Sequence, residues 1–207
     1  MFFDTTDRIA IRDLLENWVI WRDAGVWDRF RTLWHDDGVM MATWFQGGPD
    51  EFITNSKASF ARGIRAQHVL GGSSIDISGY RAVAQTKMTI LHRAPIEYVM
   101  CDFTVIGRFY DLLEKREGKW GLVLRQPIYE KDRIDPVVPG TTPKLDRTLL
   151  EQFPEGYRHM AYMQTKAGYS VKADMPGATG PELEALYAKG EAWLKNKSDT
   201  ILKAKTS

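Results

Sequence analysis

The chain has 207 residues, which fits one domain plus an extension better than two domains of the usual ~100–200 residues each. Hydrophobic residues make up 43% and charged residues 27%, an ordinary globular balance. A formal net charge of +1 leaves no basic face built for phosphate backbones, so no nucleic-acid partner is expected.

Residues 5–24 read as a helix. Asp4 and Thr5 offer N-caps, and Asp7 puts negative charge in the first turn. Ile11, Leu14, Leu15, Trp18 and Val19 form one apolar stripe at helical spacing, and Gly25 ends the helix. A short second helix carries Trp27, Phe30, Leu33 and Trp34 on one face and stops at the turn cluster His35-Asp36-Asp37-Gly38. Residues 39–45 read as a short strand, broken by Gln46-Gly47-Gly48-Pro49. Pro49 then opens a third helix that ends at Gly63.

From Ile64 the pattern changes to long strands. The first spans 64–78, and Ser78-Gly79 turns the chain. Residues 80–93 alternate, with Ala82, Ala84, Thr86, Met88, Ile90 and His92 on one face. Ala94-Pro95 is read as the next turn, 97–113 as a strand, and Glu117-Gly118 as the hairpin into Trp120–Tyr129. Helices followed by long antiparallel strands argue for an α+β fold, with the helices on one face of a curved sheet. After Asp135 three prolines fall close together, and two helical segments follow at roughly 145–166 and 181–203. These are expected to cap the open mouth of the sheet or to pack on a neighbouring subunit. The expected division is a domain over 1–135 and a linker with a C-terminal helical extension over 136–207.

Cys101 is the single cysteine, which suits a reducing compartment, and its apolar surroundings predict a buried, inert thiol. The N-terminus lacks a basic region followed by an apolar core, and no apolar run approaches ~18 residues. A cytoplasmic protein with no membrane partner is the expectation.

Five of the seven tryptophans (Trp18, Trp21, Trp27, Trp34 and Trp44) fall in the first quarter of the chain. Aromatics bury large areas in any core, but a cluster near a base also suits an aromatic-lined pocket. Asp23 closes the first helix, and His68 opens a strand 45 residues later. On residue types alone two readings stand: a solvated helix-end carboxylate with a core histidine, or a carboxylate that fixes an imidazole as a general base. The four histidines are spread over the chain without metal-ligand spacing, so no metal and no other cofactor is expected. Gly71-Gly72 lacks the following lysine of a phosphate loop.

The order of these elements resembles the SnoaL-like branch of the nuclear transport factor 2-like superfamily. The strings that carry the resemblance are Ile11-Arg12-Asp13-Leu14-Leu15, Leu33-Trp34-His35-Asp36-Asp37-Gly38, His68, Ile75-Asp76-Ile77-Ser78-Gly79-Tyr80-Arg81-Ala82 and Glu117-Gly118-Lys119-Trp120, all within residues 5–130. The resemblance implies a cone-shaped antiparallel sheet wrapped over N-terminal helices, with a pocket inside. Its scytalone dehydratase-like and dehydrochlorinase-like branch implies a catalytic pair at Asp23 and His68. It also implies a second imidazole at His92 facing the same pocket. Trp18 and Trp44 are the aromatic residues expected to meet substrate. Arg22 departs from the dehydratase pattern, which has a tyrosine just before its aspartate, and the first strand also lacks a tyrosine. The activity implied is a cofactor-free lyase acting on a hydrophobic aromatic or cyclic small molecule, by loss of water, formaldehyde or a related group. An isomerase using the same pair, or a non-catalytic binding domain like an oxygenase small subunit, is the alternative. A homo-dimer or homo-trimer is the expected assembly.

Overall fold

Long strands dominate the computed structural model, which describes residues 5–195. Helix α1 (Thr5–Ala24) buries the predicted stripe Ile11, Leu14, Leu15, Trp18 and Val19, and Gly25 ends it in the left-handed conformation at φ +71°. Helix α2 (Trp27–Arg31) is a single turn, strand β1 spans Trp34–Met41 and β2 is the pair Gln46–Gly47. Helix α3 (Pro49–Ala61) starts on its proline, and four long strands follow: β3 (Ala66–Ser78), β4 (Arg81–Ile96), β5 (Val99–Arg116) and β6 (Lys119–Pro136). Helices α4 (Arg147–Leu150), α5 (Arg158–Lys166) and α6 (Pro181–Lys195) complete the described chain.

The six strands form one sheet in the order β2-β1-β6-β5-β4-β3, antiparallel except where β1 runs parallel to β6. The predicted α+β class with a curved sheet over N-terminal helices holds. Irregularities in register bend the sheet: between Leu70 and Ser73 of β3, at Ile106/Gly107 and Leu112/Leu113 of β5, and between Trp34 and Val39 of β1. Gly71-Gly72 is therefore bulge chemistry in β3. The inner face packs on α1 and α3 through a large apolar core that includes Trp18, Phe30, Phe52 and Phe109. Lys115 Nζ and Trp120 Nε1 both donate to Asp7 Oδ1 at 2.7 Å, tying the start of α1 to the β5–β6 hairpin.

Three boundaries differ from the sequence reading. His35-Asp36-Asp37-Gly38 is not a turn: it lies in β1, where pairing with β6 is interrupted, and polar residues with a glycine suit such a bulge as well as they suit a turn. His35 is half-buried there, and its Nε2 lies 2.8 Å from the Glu114 carbonyl. Pro95 stays inside β4, and the turn falls at Glu97-Tyr98, both at positive φ (44° and 72°). Such a two-residue primed turn matches the strand twist, although glycine and asparagine are its usual residues. The segment at 145–166 is split into α4 and α5 across Pro154 and Gly156. The Asp4 cap and the end of the last helix beyond Lys195 lie outside the described residues.

The C-terminal segments cover two surfaces. Buried Asp132 accepts from the Met160 amide and bonds His159 Nδ1, each at 2.8 Å, which seats α5 over the open end of the sheet. Helix α6 instead lies on the outer face. There Leu183 and Leu186 pack against Tyr110, Leu112, Leu124 and Ile128, and Tyr187 reaches Arg108 and Gln85. Gly190 makes this approach possible, because a Cβ there would stand 1.8 Å from the Tyr110 hydroxyl. Gly190→Ala is expected to destabilise the protein by about 1–2 kcal/mol in urea unfolding, the clash outweighing the ~1 kcal/mol gain in helix propensity. A stabilised variant would mean that α6 does not sit against Tyr110.

Candidate active site

The last turn of α1 and the first residues of β3 meet at the mouth of the cone. His68 Nδ1 lies 2.7 Å from Asp23 Oδ1, and the His68 backbone N–H donates to Asp23 Oδ2 at 2.6 Å. One carboxylate thus fixes both the backbone and the ring of the same residue. A carboxylate oxygen accepts, so Nδ1 carries the proton and Nε2 is left as an acceptor. The ring is held from other directions by Trp18, edge-on at 5.6 Å, and by Phe109 at 6.1 Å. The His68 side chain is 8% exposed and that of Asp23 19%.

His68 lines a cavity of about 400 Å³, within the size range of small-molecule sites. Trp18, Trp44, Phe52, Phe103, Val105 and Phe109 supply apolar wall. Trp44 packs its ring on Phe52 at 5.6 Å and on Tyr169 at 5.5 Å. The structure therefore places all five sequence candidates (Asp23, His68, His92, Trp18 and Trp44) at or beside one hollow, with Asp23 behind His68.

His92 lies on the same sheet face as His68. His68 pairs with Ile90, and His92 is two residues further along, a diagonal separation of ~7–8 Å. His92 Nδ1 lies 2.6 Å from the Arg65 carbonyl, which can only accept. Its Nε2 is therefore also an acceptor when the ring is neutral.

Burial holds the His68 imidazole below its ordinary value of 6.5, against the lifting effect of the Asp23 bond, with the Arg22 and Arg125 charges pushing the same way as burial. His92 is lowered too, by burial first and by Arg22 in addition, against the Arg65 carbonyl. Both rings are consequently neutral at pH 7 and above. A depressed histidine pKa favours folding with the neutral ring. That stabilisation is present above 6.5 and is lost as pH falls through the lowered folded value.

Apart from Arg22, noted in the sequence as a departure from the dehydratase pattern, several cavity residues were not singled out there. Arg22 lines the wall, 8% exposed, beside Asp23. Helix α5 adds Met160, Met163 and Gln164, and Gln164 accepts from buried Thr43 Oγ1 at 2.8 Å. Tyr169 bonds Ser59 Oγ at 2.8 Å and also Arg62. A pattern of apolar spacing marks buried faces but does not say which of them surround a void, so these residues carried no separate signal. Cys101 is fully buried, and burial pushes its thiol up, as expected of an inert cysteine. Among the described residues no three His, Cys, Asp or Glu side chains group as metal ligands would, and no helix is long and apolar enough to cross a membrane.

The SnoaL-like domain family matches residues 4–126. An uncharacterized protein of Emericella nidulans is 36% identical over 207 residues, covering 92% of this chain and 87% of that one. Pea pathogenicity protein 2 of Fusarium vanettenii is 37% identical over 175 residues, covering 83% of this chain and 75% of that one. Among solved structures, a hexachlorocyclohexane dehydrochlorinase (LinA, type 2) superposes with a TM-score of 0.55 at 15% identity, covering 68% of this chain and 96% of that one. A candidate scytalone dehydratase from Novosphingobium aromaticivorans gives 0.54 at 18% identity, with the same coverages. At such identities the likeness is one of fold.

Proposed function

We propose that this chain, which belongs to the SnoaL-like domain family, is a cofactor-independent lyase that removes a proton from a hydrophobic aromatic or cyclic small molecule and expels a small leaving group. The observation that carries this reading is the pair of bonds from His68 to Asp23, set in the wall of an apolar hollow. Nε2 of His68 takes the proton from carbon. Asp23 keeps Nδ1 protonated, holds the ring in place and stabilises the imidazolium as it forms. Trp18, Trp44 and the neighbouring phenylalanines hold the substrate's rings and keep water out. The imidazolium of His68 then gives that proton to the leaving oxygen, so the group departs as a neutral molecule, while neutral His92 accepts from a substrate hydroxyl and orients it.

Incubation with a panel of aromatic and cyclic hydroxy compounds, followed by product mass, tests the reading. A lighter product that requires His68 supports elimination. A product of unchanged mass would assign the same pair to an isomerase, and binding without turnover across the panel would leave a ligand-binding domain. The pH profile is a second test. kcat/KM is expected to fall on acidification with a midpoint below 6.5, since protonated His68 cannot act as base. A midpoint above 6.5 would show that the Asp23 bond outweighs burial, against this assignment. The single buried cysteine supports a reducing, cytoplasmic setting. The proposed dimer or trimer would have to form around α6, since that helix occupies the outer face of the sheet.

A further inference from the structure

Arg22 is a guanidinium without an acid of its own. It projects from the last turn of α1, where the helix's carbonyl end favours a cation. Its side chain is 10% exposed and forms part of the cavity wall. Among the described residues its carboxylate partner is Asp23, at 3.5 Å from Nη1, and both oxygens of Asp23 already serve His68. Nε of Arg22 is buried and has no partner among the described residues. Phe60 lies under the guanidinium at 6.0 Å, and Tyr169 is the other group whose charge would act on it. A buried cation with unfilled donors is costly unless something supplies an acceptor. The cavity is the place from which an acceptor can come.

We propose that Arg22 binds an anionic oxygen of the ligand, so that the cavity selects an acid with an apolar, ring-bearing body, such as an aromatic carboxylate. The guanidinium, where it borders the cavity, offers such a group planar, directional donors. The aromatic wall takes the rings, and His68 is left free to act on carbon nearby. This rests on the cavity being a ligand site, but not on the proton transfer. It makes Arg22 a specificity-determining residue distinct from the His68–Asp23 pair.

The test compares 2-naphthoate with 2-naphthamide, equal in shape and different in charge, by quenching of tryptophan fluorescence at pH 7.5. Wild-type protein is expected to bind the acid at least about tenfold more tightly than the amide. Arg22→Gln should erase that preference, Arg22→Lys should keep part of it, and His68→Gln should leave it unchanged. Equal affinity of the two probes for wild-type protein overturns the proposal, as does a preference that survives Arg22→Gln or binding of neither probe. If Arg22→Gln does not fold, the wild-type ratio and Arg22→Lys decide, with loss of the whole preference in the lysine variant counting against a charge-based role. A preserved preference for the acid in a His68→Gln protein that still turns over substrate would remove the lyase reading and leave this one standing.

Discussion

Asp23→Asn lowers kcat/KM by about 10³–10⁴ on any substrate that the cavity converts, with little change in the fold. The size follows from how the carboxylate is used. Oδ2 accepts from the His68 backbone N–H at 2.6 Å. An asparagine must keep its single oxygen on that N–H, or leave two donors facing each other. Its NH2 group then points at His68 Nδ1, 2.7 Å away in the wild type, and can only donate to it. Nδ1 becomes the acceptor, the proton moves to Nε2, and the nitrogen facing the cavity can no longer take a proton. The substitution thus inverts the tautomer rather than merely removing a charge. His68→Ala removes the base itself and should cost as much, while the double variant should cost little more than either, because the two residues act as one unit. Nitrogen NMR of the His68 ring would show the inverted tautomer directly. Full turnover by either variant would sink the proposed mechanism.

Much of this site was legible in the sequence because it hangs on regular elements. The stripe from Ile11 to Val19 fixes which face of α1 is buried and so where its last turn delivers Asp23. The alternation along β4 puts His92 on the face of Ala82, Ala84 and Met88, as the burial of these residues bears out. What stayed hidden depends on register. Leu113 pairs with Leu122 and Leu112 with Leu124, so Val123 has no partner on β5. That one extra residue inverts the faces of β6. Leu122 belongs to the inner core and Leu124 to the outer one, and Arg125 is turned inward. Without the bulge, alternation from Leu122 would have sent Arg125 to the surface, where an arginine raises no question. The position of α6 was hidden for a different reason. Its apolar residues show that it is covered, and only the coordinates show by what.

Arg125 and Asp111 yield the second large effect. Both side chains are fully buried and form a two-point ion pair, Nε to Oδ1 at 2.7 Å and Nη2 to Oδ2 at 2.8 Å. The guanidinium lies 4.3 Å from the ring centres of both Trp18 and Phe109. Asp111→Asn leaves the cation buried with no counter-charge and is expected to cost about 3–5 kcal/mol in denaturant unfolding. Replacing the pair together, as Asp111→Leu with Arg125→Met, removes both desolvation penalties and should return stability to within about 1 kcal/mol of wild type. A single variant that costs less than about 1 kcal/mol would show that the pair is not dry. The same double variant reaches the chemistry. Trp18 and Phe109, which flank the Arg125 guanidinium, also flank the His68 ring, and the Arg125 charge helps to hold that ring below 6.5. Removing the cation should raise the His68 pKa, so the acid limb of kcat/KM moves to higher pH while the plateau above it is retained. A limb that stays in place would leave the depression to burial and Arg22, and the ion pair would then serve packing and not the base.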